Sequence, residues 1–459
     1  MSLFWYALWF VVAVGLLVTV HEFGHFLVAR RLGFRVLRFS VGFGKPLVKW
    51  TAGGPDATEY VIAAVPLGGY VKLLDEREGP VEDKDLPRSF TRRPHWQRIA
   101  VLLAGPAFNI LFAVLVLWGM FWANGVSEVR PVVGDVTTGS VAAAAGLKSG
   151  DEIRAINGTQ VQGMRDVIFD LLDAMSARGE ADLAVRGTSG EARTARLVVA
   201  DPDTRRRLTE PSELLRGLGF QFWPPVPPVL GQVEAGGPAA RAGLASGDEI
   251  VSVDGAAVAN FHDIVARISI HPGERVTIEY RRGGESRSAT VQVASDDVAG
   301  KRVGRIHVMQ PPPPTRTYPE SMLLHTDLTA GAALSHAGAE AWNMTVLQAR
   351  LFWRMVLGRV SLKNLSGPLS IAEFAGDSAE AGVSAFLGFL VLISLSLGFL
   401  NLLPIPILDG GQIAFQLIEW LKGSPLSERT QAFGQQVGIA LLIVLMGVAL
   451  YNDIARQFG

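Results

Sequence analysis

The sequence predicts a polytopic α-helical membrane protein with four transmembrane helices, a membrane-associated β-hairpin and two tandem α+β domains. Three observations lead to this fold class. The chain has 459 residues, a mean hydropathy of +0.28 and only 19% charged residues, which is apolar for a soluble protein of this length. Its apolar residues are concentrated in four stretches close to the ~20 helical residues that cross a bilayer. A sequence motif occurs twice between the second and the third stretch.

Composition excludes several classes of site and partner. The chain contains 0 cysteines, which excludes disulfides and thiolate zinc ligands and is compatible with an oxidising compartment. A net charge of -1 gives no reason to expect nucleic acid as a partner. The N-terminal apolar run lacks a basic start and a small-residue cleavage site, so we interpret it as a retained span.

The four predicted spans are about residues 3–28, 99–122, 385–408 and 433–451, and the last is the shortest. Basic residues are concentrated in the loop between the first two spans and in the loop between the last two. Such loops face the cytoplasm. Both termini and the long middle segment are therefore expected on the opposite side. The alternative that these stretches form the core of a soluble protein is disfavoured, because all four fit one consistent pattern of basic loops.

A β-hairpin is predicted between the first two spans. The segments VGFGKPLVKW and ATEYVIAAVPLGGYVKLL are apolar and strand-like, and they flank a turn at residues 53–56. Non-helical backbone is tolerated at membrane depth only where it pairs with other strands or lines a protein cavity. If the hairpin enters the membrane, we expect it to line a cavity.

The middle segment contains an internal repeat. SVAAAAGLKSGDEIRAINGTQV, from Ser140, recurs as GPAARAGLASGDEIVSVDGAAV, from Gly237. Near its end each copy contains an Asn-Gly or Asp-Gly dipeptide, which is typical of tight turns. Two tandem domains of about 90 residues each are the natural interpretation. The shared frame resembles the PDZ domain of bacterial envelope proteases, whose groove takes an extended peptide as an added strand. A role in ligand gating or size filtering and a role as spacers both remain open here.

A proline tract, QPPPPTRTYP, follows the repeats and is predicted to be a stiff linker. The next segment, AWNMTVLQARLFWRMVLGRVSL, has a helical period and is predicted either to lie on the membrane surface or to pack against the PDZ-like domains.

These features divide the chain into five parts. They are an N-terminal membrane part (1–125), a first PDZ-like domain (126–222), a second PDZ-like domain (223–312), a linker with an amphipathic surface helix (313–382) and a C-terminal membrane part (383–459).

The segment HEFGH in the first span has the pattern of a zinc site. On a helix His21 and His25 project from nearly the same face, so two imidazole nitrogens can meet one zinc ion at ~2.0–2.1 Å. Glu22 lies to the side, where it can act as the base toward a water nucleophile. A pair of core histidines is disfavoured, because an ionisable group at the bilayer centre costs ~2.5–3.5 kcal/mol without a partner.

A catalytic zinc of this kind needs a third protein ligand, and Asp409 is the candidate. It is the only acidic residue between Glu380 and Glu419, and by the predicted orientation it lies in the same half of the membrane as HEFGH. Pro404 and Pro406 break the helix before it. A lone aspartate at a helix end is usually only interfacial, but this one matches the depth of a motif that lacks one ligand.

The motifs resemble those of one family. HEFGH, GPAFN at residues 105–109 and NLLPIPILDGG at residues 401–411 resemble the site-2 protease family of intramembrane zinc metalloproteases. The two PDZ-like repeats and the segments GFGKP and LGGYVKLLDE are similar to its bacterial regulator-of-sigma-E protease branch. The resemblance covers nearly the whole chain. HExxH alone is a weak signal, but together with Asn-x-x-Pro-x-Pro-x-Leu-Asp-Gly in a later span it is strong.

The resemblance implies a role for each motif residue. It implies that His21, His25 and Asp409 bind one zinc ion, that Glu22 is the base and proton shuttle, and that Asn401 holds the substrate strand or the polarised carbonyl. It also implies that the hairpin and the proline segment contact substrate, at Gly42, Phe43, Gly44, Gly68, Gly69, Tyr70, Pro404 and Pro406. For Asn109 we expect no more than packing of the second span.

The implied function is zinc-dependent endoproteolysis within a bacterial inner membrane. The substrate would be a single-span protein already shortened on its outer side, which by resemblance is an anti-sigma factor; remnant signal peptides are a second class. Functions of two other classes fit the sequence less well. A non-catalytic scaffold is disfavoured because Glu22 and Asp409 are both present. A transporter is disfavoured because the spans lack internal symmetry.

Overall fold

The computed structural model describes residues 3–458 except residues 78, 138, 224–226, 259, 299–300 and 310–318. The proline tract falls almost wholly within the last of these gaps, so its predicted stiffness concerns residues outside the described part. The chain forms two compact units. The membrane unit comprises Met1–Val126, Thr326–Met355 and Leu362–Gly459, and the second unit comprises Ser127–His325 and Val356–Ser361.

Two long helices joined by a β-hairpin begin the membrane unit. Their elements are α1 (Leu3–Arg31), β1 (Val36–Ala52), β2 (Thr58–Leu73) and α2 (His95–Asn124). The strands β1 and β2 pair antiparallel around a short 3-10 turn at Gly54–Asp56, which confirms the predicted hairpin. Leu47, Val48 and Trp50 on the outer half of β1 are exposed, so this part of the hairpin presents an apolar surface to its surroundings.

The described part of the second unit contains two four-stranded sheets of the same strand order. The first copy contributes β3 (Val126–Val129), β4 (Val133–Val136), α3 (Val141–Ala144), β5 (Glu152–Ile156), β6 (Thr159–Gln160), α4 (Met164–Ala177), β7 (Glu180–Arg186), β8 (Ala192–Val198), α5 (Pro202–Leu208), α6 (Glu213–Leu218) and β9 (Phe220–Phe222). The second contributes α7 (Pro238–Arg241), β10 (Glu249–Val253), β11 (Ala256–Ala257), α8 (Phe261–Ser269), β12 (Arg275–Arg282), β13 (Glu285–Gln292), β14 (Ala294–Val298), β15 (Lys301–Arg305) and β16 (Leu323–Thr326).

The sequence repeat is thus also a structural repeat. The sheet orders β6-β5-β7-β8 and β11-β10-β12-β13 correspond strand by strand. Asn157 and Asp254 have φ values of 50° and 48°, the left-handed conformation that their turn dipeptides predict. Along β7 buried and exposed residues alternate, which is the pattern of a sheet with one face on a core. Each copy therefore folds around its own apolar core.

Five helices complete the membrane unit, namely α9 (Ala330–Val356), α10 (Pro368–Glu380), α11 (Val383–Asn401), α12 (Asp409–Lys422) and α13 (Glu428–Phe458). Among the described residues α1, α2, α11 and α13 are long and apolar enough to cross a membrane, in agreement with the predicted number. The third span was predicted to reach residue 408, but α11 ends at Asn401 because prolines follow it. The fourth, predicted to be the shortest, has 31 residues.

The segment predicted to lie on the membrane surface or against the PDZ-like domains begins within α9, and both placements stay predictions. The start of α9 packs within the membrane unit against α2 and α11 through buried Ala337 and Ala341, and Ala333 one turn earlier is also buried. The Trp118 indole of α2 donates a 2.9 Å hydrogen bond to the Ala330 carbonyl oxygen. Small residues four apart let helix backbones approach closely. The prediction rested on the aromatic and arginine pattern from residue 341 onward and did not use the alanine stripe before it.

A buried carboxylate ties the end of α13 to the start of α10. Asp453 is 2% exposed. Its Oδ1 accepts hydrogen bonds from the Gly367 backbone N–H at 2.9 Å and the Ser370 hydroxyl at 2.6 Å. Its Oδ2 accepts from the backbone N–H groups of Leu369 and Ser370 at 3.0 and 3.1 Å. A helix leaves its first N–H groups without partners and favours negative charge beside them, so Asp453 caps α10 from another helix.

Replacing this carboxylate should destabilise the membrane unit. We predict that Asp453→Asn lowers the free energy of unfolding by about 1.5–3 kcal/mol, the range for hydrogen bonds to a charged group. Thermal unfolding of the purified protein in detergent measures the change. Glu428→Gln, at the exposed opposite end of α13, is the control and should unfold like the wild type. Equal midpoints for the two variants would contradict the capping role.

Candidate metal centre

Three side chains from α1 and α12 converge on one point. His21 and His25 lie one turn apart on α1, and their Nε2 atoms are 3.1 Å from each other. Asp409 is the first residue of α12, and its Oδ2 lies 3.1 Å from Nε2 of His21 and 3.4 Å from Nε2 of His25. The side chains are 12%, 12% and 17% exposed. The structure thus brings together the three residues that the sequence predicts as ligands.

The spacing of these atoms fits a zinc ion. Ligands at ~2.0–2.1 Å from a tetrahedral ion lie about 3.3–3.4 Å from one another, and the three observed separations are 3.1, 3.1 and 3.4 Å. Two imidazoles with one carboxylate are a known catalytic zinc set, which keeps a fourth position open. Within the described part of the chain, no other three histidine, aspartate or glutamate side chains converge in this way.

Helix α2 shapes the space around the two rings. His25 Nδ1 lies 2.7 Å from the Val101 carbonyl oxygen, which fixes the plane of that ring. Gly105 faces both imidazoles. A Cβ atom there would lie 2.6 Å from Cε1 of His25 and 2.7 Å from Cε1 of His21, well inside van der Waals contact. The glycine of GPAFN is therefore required for the rings to occupy this position.

Polar contacts with α2 hold α12 in place. The Arg98 guanidinium donates to Oε1 of Gln416 at 3.0 Å and lies 3.8 Å from the Glu419 carboxylate. His95 Nδ1 is 3.2 Å from the same Gln416 oxygen. Because Asp409 begins α12, these contacts also set the direction from which its carboxylate reaches the histidines.

A cavity of about 570 Å³ contains the metal centre. Its lining includes β2 and the end of α11, and its polar residues are His21, Glu22, His25, Tyr70, Lys72, Asp75, Asn401 and Asp409. Glu22 lies against β2, where a Cβ atom on Gly69 would be 3.1 Å from its Cγ. Glu22 and Asn401 thus share one cavity with the three converging side chains.

The two glycine-rich segments of the hairpin meet beside this cavity. The Phe43 ring stacks on Tyr70 with centroids 6.2 Å apart and planes 8° from parallel. It crosses Gly68, where a Cβ atom would lie 2.8 Å from its Cζ. Gly42 and Gly44 have φ values of +92° and +88°, a left-handed conformation that favours glycine. These glycines let β1 bend so that Phe43 reaches across β2.

The proline pair lies elsewhere. Neither Pro404 nor Pro406 lines the cavity. Pro406 instead packs against α13, where a Cβ atom on Gly438 would be 3.5 Å from the proline Cδ. In this structure both prolines follow the end of α11 and Pro406 supports α13, while their contact with substrate stays a prediction.

Asn109 is the residue whose place the sequence interpretation missed. We expected it only to pack the second span, but its amide lies 3.3 Å from His21 Nδ1, and the residue is 0% exposed. One signal could have located it. Asn109 follows Gly105 by four residues, so both project from the same face of α2, and Gly105 faces the rings.

Comparisons with known proteins agree on one family. The profile described as peptidase family M50 matches residues 9–445. A regulator of sigma E protease from Salmonella typhi is 39% identical over 459 residues, which cover 99% of this chain and 100% of the relative. A putative zinc metalloprotease from Neisseria meningitidis serogroup A is 38% identical, covering 98% and 99%. The regulator of sigma-E protease RseP of Escherichia coli K12 is 39% identical, covering 99% and 100%.

One solved structure also matches part of the chain. It is the PDZ domain of the SdrC-like protein from Listeria monocytogenes, which is 26% identical and covers 17% of this chain and 82% of its own. The TM-score is 0.16, and similarity at that level carries no structural argument.

The geometry predicts that a single methyl group closes the metal centre. Gly105→Ala should abolish stoichiometric zinc binding, because its Cβ would occupy the space of the two imidazoles. Gly119→Ala on the same helix is the control, since no atom lies within 4 Å of its Cβ position, and it should bind zinc like the wild type. Metal analysis of the purified variants measures the difference. Full zinc content in Gly105→Ala would show that the rings bind metal in another arrangement.

Proposed function

The chain belongs to peptidase family M50, the site-2 proteases, and we propose that His21, His25 and Asp409 hold one zinc ion at its active site. It is a zinc metalloprotease of the site-2 type and a multi-pass inner membrane protein. The convergence of the three ligand atoms within 3.1–3.4 Å carries the proposal. Zinc, when bound, supplies a Lewis acid that polarises a carbonyl and makes water nucleophilic near neutral pH.

Glu22 performs the proton transfers in this proposal. It follows His21 on α1, and its carboxylate faces the same cavity as the three ligands. A base must lie within reach of the proton that it removes. Glu22 takes the proton of the attacking water and delivers it to the leaving amide nitrogen. Asn401 donates a hydrogen bond to the scissile carbonyl oxygen, where negative charge develops.

The substrate is bound as an extended strand beside the hairpin. A transmembrane helix hides its amides in internal hydrogen bonds, so it must unwind before its carbonyl carbon can be attacked. In the described residues the sheet has only the strands β1 and β2, which leaves each strand one free edge for pairing. Gly42, Gly44 and Gly69 let the backbone approach, while Phe43 and Tyr70 contact the substrate side chains.

The orientation of the chain follows from its basic loops. The loop that carries the hairpin and the loop that carries α12 face the cytoplasm, and the termini and the middle segment face the periplasm. The active site then lies toward the cytoplasmic side. The segments 126–222 and 223–312 form the two periplasmic domains, which are PDZ-like by their sequence frame and their matched sheets.

The proposed substrate is a single-span membrane protein whose outer part another protease has already removed. By kinship with the regulator of sigma-E proteases, this is a membrane-bound anti-sigma factor, whose cleavage is a step of regulated intramembrane proteolysis and releases a sigma factor in the envelope stress response. Remnant signal peptides are a second substrate class, since each is also a single apolar segment left in the membrane after a first cleavage. The PDZ-like pair filters substrates by excluding bulky outer domains, which makes the cleavages sequential.

Glu22→Gln tests the catalytic role. We predict a loss of about 10²–10⁴-fold in cleavage, the usual contribution of a general base, with zinc content unchanged. His21→Ala should lose both zinc and cleavage. The assay is cleavage of a tagged single-span substrate by the full chain in proteoliposomes, and Glu340→Gln on α9 is the control expected to cleave normally. Cleavage by Glu22→Gln at the wild-type rate would overturn the mechanism.

The filtering role predicts a dependence on substrate size. We expect the wild-type chain to cleave a substrate with a short outer segment and to lose at least ~10-fold in rate when the same transmembrane segment carries a folded outer domain, because such a domain cannot pass the PDZ-like pair. A matched substrate whose outer segment has the same length but is unfolded distinguishes the effect of a folded domain on the cleavage rate from the effect of chain length. Equal cleavage of all three substrates would leave the domains with a spacer role.

A further inference from the structure

Asn109 is a fully buried polar side chain for which the proposed chemistry gives no role. Its amide nitrogen lies 3.3 Å from Nδ1 of His21, while its amide oxygen is buried without a hydrogen-bond partner. Its backbone carbonyl accepts a 2.8 Å hydrogen bond from the Ser394 hydroxyl on α11. The contact between α2 and α11 therefore uses the main chain of Asn109, and the side chain is directed at the His21 ring on α1.

The protonation of the His21 ring decides which end of the amide should face it. Nε2 of His21 is the atom directed at Asp409 and His25, so Nε2 must offer its lone pair to a metal. In neutral imidazole the proton is then on Nδ1. An Nδ1–H group facing the amide nitrogen would place two donors against each other. A 180° rotation of the Asn109 side-chain amide exchanges its oxygen and nitrogen and needs no extra space. The amide oxygen then faces Nδ1–H of His21 as an acceptor.

The second ring provides an internal precedent. His25 Nδ1 lies 2.7 Å from the Val101 carbonyl oxygen on the same helix α2. A ligand histidine usually donates its other ring N–H to a carbonyl or carboxylate, which fixes both tautomer and orientation. With the amide oxygen turned toward it, Asn109 supplies for His21 what the Val101 carbonyl supplies for His25. Both rings are then oriented by acceptors on α2.

We propose that Asn109 is a positioning residue of the metal centre, which accepts a hydrogen bond from Nδ1–H of His21 through its amide oxygen. This inference rests on the proposed metal site and adds to it a residue that contacts neither metal nor substrate. In either orientation one end of the Asn109 amide has no hydrogen-bond partner, so the number of hydrogen bonds does not distinguish the two. The orientation is selected because Nδ1–H of His21 needs an acceptor.

Zinc affinity of the full chain in detergent tests this role, measured by competition with a chromophoric chelator. Asn109→Leu, which matches the size of the side chain but has no acceptor, should weaken zinc binding by about 10–100-fold, the usual effect of losing such a partner. Asn109→Asp keeps an oxygen acceptor and should stay close to the wild type. Ser394→Ala removes the hydrogen bond to the carbonyl of the same residue and is the matched control, with unchanged affinity.

A purely structural role gives the opposite ranking. Leucine would then replace a buried amide at little cost, whereas a buried carboxylate would be the harmful change. Asn109→Leu binding zinc like the wild type, or Asn109→Asp losing as much affinity as Asn109→Leu, would overturn the proposal. If Asn109→Leu does not assemble, as judged by thermal unfolding, Asn109→Ala replaces it with the same expected loss.

The absorption spectrum of the cobalt(II)-substituted protein adds a readout independent of affinity and activity. The visible bands of cobalt report ligand geometry, so they should change in Asn109→Leu and persist in Asn109→Asp and Ser394→Ala. Unchanged bands in Asn109→Leu would count against a positioning role. Failure of the proposed metal centre is recognised separately, because the wild type would then bind no zinc or His21→Ala would bind as much as the wild type.

Discussion

The close contact between α1 and α2 is the constraint on which the metal centre depends. A Cβ atom on Gly24 would lie 2.9 Å from the backbone carbon of Ala104, and Gly105 opposes the two imidazoles. With glycine on both helices, the backbones approach until α2 can reach the rings of α1. At that distance the Val101 carbonyl and the Asn109 amide contact the outer nitrogens of His25 and His21. Wider separation would leave the outer nitrogen of each ring without a partner in an apolar layer, at a cost of several kcal/mol for each unsatisfied group.

The metal centre also depends on the break in the chain after α11, which places Asp409 near the histidines. Proline cannot donate the backbone hydrogen bond that would continue a helix, so α11 ends at Asn401 and the chain turns before α12 begins. Gly410 and Gly411 make the turn compact, because Cβ atoms there would lie 2.5 Å from the Leu403 carbonyl oxygen and from Cα of Pro406. The first residue after the turn is Asp409. A continuous helix would have carried its carboxylate away from the histidines.

Sequence reasoning recovered the features that depend on local pattern. Histidines four apart on an apolar helix, a glycine turn between strand-like segments, and a repeated frame each have a short-range signature, and the structure contains the helix, the hairpin and the matched sheets that they predict. Features that depend on a tertiary partner were missed. The alanine stripe of α9 fits a neighbouring helix as well as a soluble domain, and only the fold selects α2 and α11.

Residue roles divide in the same way. Asp409 could be predicted because a zinc site with two histidines requires a further ligand, and one acidic residue lay at the right depth. Asn109 was missed, because its four-residue spacing from Gly105 points to the histidines only once the structure shows that Gly105 faces the two rings. The packing of Pro406 was also missed. Its motif points to substrate, which stays a prediction, and in the structure it packs against Gly434 and Gly438 of α13.

The supply of water to a site between apolar helices follows from the lining of the cavity. The cavity runs along β2 from Tyr70 to Leu73 and includes Lys72 and Asp75, and Asp75 pairs with Arg77 at 2.6 Å. Lys72 is exposed, so the end of β2 marks where the cavity meets water. Glu22 lies beside Gly69 of the same strand. The strand proposed to hold the substrate therefore also forms a wall of the cavity through which water reaches the base and the ligands.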